Sequence, residues 1–388
     1  MTNLDNNPVL AAPSEVAMLC SGDEVYGVGT VLKIYAQSVP GLRFICMRNG
    51  PMMKWLLDHN VDVVHFRALA DFQAAGSLAT LARLPGAFAQ ARNDAARMHE
   101  HLKSKGIRIV HTHWLSQQII GGFLRSHGYK VVWHIHNNMN RNRLRGWGMR
   151  LNHLLANWGA DAIIAVSDFI KTNYSGSRVP LHTIHNAATR YYEAPNRLPA
   201  GPIRCLTSGR LIDRKGHHLA VQAVLAARRA GLDVRLDIYG GPIENNAYVD
   251  QLKDLIKREN ANEEIRFMGF CEDLRARHQQ YHIGLQCRID PEPCSMWVCE
   301  ASTDGLPLLA SSTGGTPEIV KDGQTGILFR SGDADDLSKK LIALASDRKR
   351  MEEMRVAAFE HGNGYLTSQR FVAETFDVYK SMLQPDAA

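Results

Sequence analysis

The sequence predicts an α/β protein made of two doubly wound, Rossmann-like domains. Short β-rich apolar runs alternate with longer helical patterns along the whole chain. Alternation of this kind needs parallel strands, because each crossover requires a helix to bring the chain back to the same edge. The pattern also stops and restarts. The stretch "HNAATRYYEAPNRLPAGP" (185–202) holds three prolines and no regular period, which is the signature of a linker. A length of 388 residues suits two such domains.

In the first half the expected strands are 15–20, 43–47, 61–66, 107–113, 129–136, 161–167 and 181–185, with helices at 88–105, 114–126 and 142–158. In the second half they are 203–209, 234–240, 265–269, 283–287, 306–310 and 326–329. Helices are expected there at 217–230 and 246–259, and the chain closes on helical segments near 335–346, 349–360 and 368–383. The domains are therefore set at 1–186 and 203–365, followed by a terminal helical segment, 366–388. Ligands of doubly wound folds sit at the carboxyl ends of strands, often in a cleft between domains, so the loops just after strands matter most.

Composition narrows the class. Apolar residues make up 45% and charged residues 22% of the chain, an ordinary globular balance. No apolar run approaches the ~18 residues that span a bilayer. The first basic residue is Lys33, so no signal peptide is expected and cytoplasmic residence is the default. Seven cysteines without a CxxC pair point to reduced thiols. Residues 1–185 carry 19 Lys/Arg against 11 Asp/Glu, while the whole chain is only +6. A basic first half suits an anionic partner: a membrane surface, a phosphorylated substrate or nucleic acid.

The stretch "DPEPCSMWVCEASTDG" (290–305) carries Glu292 and Glu300. Prolines 291 and 293 hold the residues before them extended, which puts Glu292 in a loop. Ser295 then caps a helix that runs from Met296 to near Gly305 and bears Glu300. Free N–H groups at the start of that helix, near 295–298, suit a phosphate, and carboxylates accept hydrogen bonds from sugar hydroxyls. On spacing alone, two solvated surface charges are the favoured reading.

In "SGRLIDRKGHH" (208–218), Arg210 and Lys215 flank a turn between a strand and a helix, which by itself suits a diphosphate or an exposed basic turn equally. "STGGTPEIV" (312–320) offers a Gly-Gly turn, with Gly315 before a short helix, whose N–H groups could cradle phosphate. "GDEVYGVGTVL" (22–32) places Gly27 and Gly29 before a helix, but Leu32 stands where a dinucleotide fingerprint needs its third glycine.

His111 and His113 share one strand face, as do His134 and His136 on the next strand. Imidazoles at this spacing can share an ion, but no carboxylate or cysteine accompanies them, and a polar lining at strand ends is the expectation. Residues 140–161 interleave Arg141, Arg143, Arg145 and Arg150 with Trp147 and Trp158, which suits an anionic membrane interface or an ordinary surface helix.

Taken together, "SGRLIDRKGHHLAVQAV", "LDIYGG", "IRFMGF" and "EPCSMWVCEASTDGLPLLASSTGGTPEIVKDGQTGILF" resemble a retaining glycosyltransferase of family 4 with the GT-B fold. The likeness runs over nearly all of 203–330, and the two glutamates match the family's E-x7-E motif. "VVWHIHN", "DAIIAVSDFIK" and "IHNA" resemble the family more loosely.

The resemblance implies two domains facing a central cleft and a nucleotide-diphosphate sugar as donor. The acceptor would be a glycan, a lipid-linked or a small-molecule acceptor, with no nucleic-acid partner. Arg210 and Lys215 would neutralise the diphosphate in place of a metal, so neither metal nor cofactor is expected. Glu300 would bind ribose, and Glu292 and His136 the transferred sugar. Gly29, Ser295, Met296 and Gly315 would line the donor. Gly27 would lie toward the acceptor, and Arg141, Arg143, Arg145 and Trp147 toward the acceptor or membrane. The terminal helix would cross back to the first domain. One departure stands out, because Cys294-Ser295 replaces the family's usual Phe-Gly. A nucleotide-sugar epimerase on the same fold, or a silent nucleotide-sugar-binding subunit, is the alternative.

Overall fold

A computed structural model describes residues 12–68, 78–138 and 147–384, with side chains from 85 onward in the second stretch and from 148 onward in the third. The chain divides into two compact units. One comprises the described residues up to His185 and those from Ser368 on, and the other is Asn186–Thr367.

The first unit runs β1 (Val16–Cys20), α1 (Val28–Ser38), β2 (Arg43–Cys46), α2 (Pro51–Asp58), β3 (Val63–His65), α3 (Leu78–Ser104), β4 (Ile109–Thr112), α4 (Leu115–Arg125), β5 (Lys130–Ile135), α5 (Trp147–Gly159), β6 (Ala162–Ala165), α6 (Asp168–Lys171) and β7 (Leu181–Thr183). Its strands form one parallel sheet in the order β3-β2-β1-β4-β5-β6-β7. All five residues of β1 are fully buried. A parallel strand covered on both faces must be apolar throughout, as "VAMLC" is.

The second unit restarts with β8 (Ile203–Ser208), α7 (His217–Arg229), β9 (Val234–Tyr239), α8 (Ala247–Arg258), β10 (Ile265–Gly269), α9 (Arg275–His278), β11 (Ile283–Gln286), α10 (Met296–Thr303), β12 (Leu308–Ser311), α11 (Thr316–Ile319), β13 (Gly326–Phe329), α12 (Ala334–Ala345) and α13 (Arg348–Tyr365). Its sheet order is β10-β9-β8-β11-β12-β13, again all parallel. Both sheets thus share the doubly wound order, which reverses beside the first strand. Helix starts follow local chemistry. Asn246, Asp333 and Asp347 each accept a hydrogen bond from a first-turn N–H of α8, α12 and α13. The last helix, α14 (Ser368–Leu383), belongs to the first unit. There it buries Phe371 and Tyr379, and Thr375 bonds the Tyr35 hydroxyl at 2.8 Å.

Several elements depart from the sequence reading. Helix α3 begins ten residues before the expected 88 and carries Pro85 inside it, so a proline that reads as a stop does not end this helix. Helix α2 is not predicted at all. Its run "PMMKWLLD" is only eight residues long and too short to show a helical period. Gly29 lies in the first turn of α1 and not before it, whereas Gly27 is the capping residue, with φ 57°. The stretch 184–202 has no regular structure.

Candidate active site

In the second unit, three loops meet at the carboxyl ends of β8, β11 and β12. The first leaves β8, passes Arg210 and turns at Gly216, whose φ is +70°. A Cβ there would stand 1.9 Å from the Cys287 carbonyl oxygen, so only glycine lets this turn lie against the end of β11. Ile289 N–H also donates to the Arg214 carbonyl at 3.0 Å. The third loop is fixed in the same way. Gly314, at φ +62°, approaches Glu292 so closely that a Cβ would meet its carbonyl oxygen at 2.1 Å. Gly315 N–H donates to that same oxygen at 2.8 Å. The amide of Gly315, expected to cradle phosphate, is thus engaged in holding the Glu292 loop.

This framework gathers charge. Lys215 Nζ lies 3.3 Å from Glu292 Oε1, and Arg288 Nη1 lies 3.0 Å from the same oxygen. Arg288 also grips Asp290 through Nε at 2.7 Å. All three of Lys215, Glu292 and Arg288 are under one-fifth exposed. Burial lowers the Lys215 pKa, opposed by Glu292 and reinforced by Arg288 and Arg210. Arg210 itself is exposed, and no described carboxylate pairs with it. Sequence reasoning did not single out Arg288. The signal was available, since Arg288 precedes Glu292 by four residues directly after a strand.

Glu300 lies on α10, one turn beyond Met296, and behaves differently. No described side chain or backbone group bonds or ion-pairs its carboxylate. Burial raises its pKa from 4.5 to about 7, opposed by the nearby Arg275 and reinforced by Asp304 and Asp273. Arg275 cannot rescue it fully because Arg275 Nε is committed to the buried Asp304 at 2.9 Å. Asp304 in turn also accepts from His278 Nδ1 at 2.8 Å. Glu300 is half-buried, and a partly desolvated carboxylate with no partner is one that a ligand hydroxyl could satisfy.

Ser295 is the capping residue of α10, as its position suggested, but its side chain makes no cap hydrogen bond. Its φ of −71° suits any residue, so serine in place of the expected glycine brings no backbone strain. Cys294 is buried, and its carbonyl accepts from Asn186 Nδ2 at 3.0 Å.

In the first unit, a cavity of about 370 Å³ opens where the strand order reverses between β1 and β4, lined by Ser21, Asp23, Glu24, Arg48, Trp114 and Gln117. Glu24 is buried and accepts from Ser21 N–H, Gly22 N–H and Trp114 Nε1 at 2.6, 2.7 and 2.8 Å. Gly29 packs on Glu24, where a Cβ would meet its backbone at 3.1 Å. His136 follows β5, and its Nε2 lies 2.9 Å from His113 Nδ1. Burial lowers its pKa to about 3, so it is neutral at physiological pH. Arg141, Arg143 and Arg145 lie outside the described residues, as does the Trp147 side chain.

Residues 190–361 match the family described as Glycosyl transferases group 1, and residues 58–189 match Glycosyltransferase Family 4. Together the two matches run over residues 58–361 of the chain. A GDP-mannose-dependent alpha-(1-6)-phosphatidylinositol monomannoside mannosyltransferase of Mycolicibacterium smegmatis is 32% identical over 161 residues, which is 39% of this chain and 41% of that protein. The putative colanic acid biosynthesis glycosyltransferase WcaL of Escherichia coli is 27% identical over 40% of this chain and 39% of its own length. The chain thus spans well under half of either curated relative.

Among solved structures, Anabaena HepE in complex with UDP superposes with a TM-score of 0.79 at 18% identity, covering 95% of this chain and 100% of that one. A glycosyltransferase from Rickettsia africae gives 0.77 at 16% identity, over 96% and 99%. The glycosyltransferase fold of this chain is GT-B.

Proposed function

We propose that the protein transfers a sugar from a nucleoside-diphosphate donor to a glycan, lipid-linked or small-molecule acceptor with retention of anomeric configuration, in the synthesis of surface polysaccharide or glycoconjugate. The observation that carries this reading is the loop cluster of the second unit. There, Lys215 pairs with Glu292 within electrostatic reach of Arg210 and Arg288, and the unpartnered Glu300 stands on α10, the helix that follows the Glu292 loop. Similarity to GDP-mannose-dependent relatives, and to a structure solved with UDP, supports a nucleotide sugar.

Glu300 would accept hydrogen bonds from the ribose hydroxyls, which provide the donors its carboxylate lacks. Arg210 would fork over diphosphate oxygens, and Lys215 would add a point charge. The α10 start at Ser295 and Met296 would contribute N–H groups. As the bond from the sugar C1 to the diphosphate oxygen breaks, negative charge grows on the leaving group, and these cations would stabilise it without a metal. The acceptor hydroxyl would attack C1 from the face the diphosphate leaves, and a departing phosphate oxygen would take its proton. Glu292 and His136 would contact the transferred sugar, while Gly29 would bring the α1 start near the donor and Gly315 would hold the Glu292 loop. The Glu24–Trp114 cavity would receive the acceptor, beside Gly27.

An anionic lipid surface is the proposed docking partner. Leu151, Leu154 and Trp158 are exposed on α5 at helical spacing beside Arg150, an apolar stripe with a cation suited to an interface. Among the described residues no helix is long and apolar enough to cross a membrane.

Calorimetric titration with UDP, GDP and ADP, followed by a donor screen for diphosphate release, tests the reading. Binding of one nucleotide and sugar-dependent release support it. An absence of binding to all three rules it out, and binding without transfer to any acceptor favours the silent subunit.

A further inference from the structure

Outside the donor cradle, the densest cluster of metal-ligating side chains lies on one face of the first sheet. His111 is on β4 and His134 on β5, with His113 and His136 just past the two strand ends. The parallel register sets His111 opposite Val132 and Thr112 opposite Trp133. The alternation of strand side chains then brings all four rings to one face. His111, His113 and His134 are at most 2% exposed. One ring nitrogen from each lies within 4.8 Å of the other two. From above, α14 covers the cluster: Tyr379 Oη lies 2.6 Å from His111 Nδ1, and Phe371 packs on His134 at 6.0 Å between centroids.

Mutual hydrogen bonding does not satisfy these rings. His111 Nε2 meets His134 Nδ1 at 3.1 Å, and His113 Nδ1 meets His136 Nε2 at 2.9 Å. Among the described residues, the buried His113 Nε2 and His134 Nε2 have no partner. One set of tautomers keeps every bond. His134 Nδ1–H donates to His111 Nε2, His111 Nδ1–H donates to Tyr379 Oη, and His113 Nδ1–H donates to His136. That set leaves a bare lone pair on both Nε2 atoms, buried and unused. Orphaned buried acceptors are uncommon and call for an occupant.

The geometry points to a binding site for a divalent d-block cation of the Zn²⁺ class at His111, His113 and His134. Imidazole nitrogen is the ligand such ions prefer, and three histidines suffice to hold zinc in a buried site. The Tyr379 hydroxyl on the far nitrogen of His111 is the outer partner that orients a ligating imidazole. His113 Nε2 and His134 Nε2 would meet the ion directly, and His111 Nε2 would exchange its bond with His134 Nδ1 for it. The ion would tie β4 and β5 together and, through Tyr379, fasten α14 onto their sheet. This role is structural, and through His113 it would also steady the His136 ring.

The test uses the full chain, free of any histidine tag and stripped with a chelator, titrated with Co²⁺ alone and then Zn²⁺. One Co²⁺ per chain with strong visible tetrahedral bands, displaced by one equivalent of Zn²⁺, is the expected result. His134→Gln and His113→Gln should each weaken Zn²⁺ binding by about 100-fold or more, and Tyr379→Phe by about 10-fold. His99→Gln, at the separate stacked pair His99–His127, should change nothing. A weak octahedral Co²⁺ spectrum overturns the proposal, as does wild-type affinity in His134→Gln, or loss in His99→Gln instead. If the cluster variants do not fold, X-ray absorption on the zinc-loaded wild-type chain decides. Three imidazoles in the first shell support the site, and an oxygen-only shell removes it.

Discussion

The two sheets share a strand order, yet their carboxyl ends carry opposite chemistry. In the second unit, the loops after β8 and β11 hold Lys215 and Arg288 against Asp290 and Glu292 beside the exposed Arg210, while Glu300 stays without a partner. In the first unit, the ends of β4 and β5, which match β11 and β12 in that order, hold four histidines, three of them buried. The contrast shows that the doubly wound fold supplies positions and not chemistry. One sheet sets paired charge at its strand ends. The other spends them on rings packed beneath a helix. Close-approach glycines serve both units, since a Cβ on Gly22 would meet the Arg48 carbonyl oxygen at 2.0 Å. Gly216 and Gly314 both bring backbone against backbone in the charged cradle, whereas Gly27 has open space where a Cβ would be.

The strongest way to break this contrast is to remove a cation. Arg210→Ala or Lys215→Ala should lower transfer by about 10²–10³-fold, the loss typical of deleting one charge-stabilising group. Circular dichroism should show an intact fold, and near-normal turnover in either variant would refute the assigned roles. Gly314→Ala comes next. A Cβ at φ +62° that meets the Glu292 carbonyl should cost the second unit about 2–3 kcal/mol. Denaturant unfolding should show this loss, together with weakened nucleotide binding.

The Glu300 carboxyl gives a smaller, pH-dependent effect. Its folded value, about 7, lies above its ordinary 4.5. Between those values the unfolded chain is ionised while the folded one keeps its proton, so stability falls as pH rises across that window and levels off above it. The fall should be roughly 2 kcal/mol, and Glu300→Gln should flatten it. A wild-type curve without slope from pH 4.5 to 7 would contradict the burial argument. The least effect is expected of Ser295→Gly. With φ at −71° and no cap bond, it should change stability by under about 0.5 kcal/mol and leave nucleotide affinity unchanged. A large change in either would show that the serine hydroxyl touches the donor.

The alternating runs, the break at 185–202 and the Arg-Lys and Glu-Glu loops could be read directly, because their signals are local. Hydrophobic period, proline and residue type need no partner to be recognised. Helix α2 and the early start of α3 could not be read, since eight residues are too few for a period and Pro85 locally argues against a helix. Arg288 escaped notice for a similar reason. Its importance lies in distances to Glu292 and Asp290, which a linear pattern cannot give. The spacing of the histidines placed two on each strand face, but not one pair against the other. That required the register of β4 on β5 and the closure of α14.

The sequence by itself therefore determined the doubly wound class, the restart and which residue types stand at strand ends, because each follows from local period and composition. Tertiary structure alone decided which of those residues are paired, which are desolvated and which are left without a partner. Burial and pairing depend on chain segments far apart in sequence. Those two quantities separate Glu292, already gripped by two cations, from Glu300, which still lacks a donor.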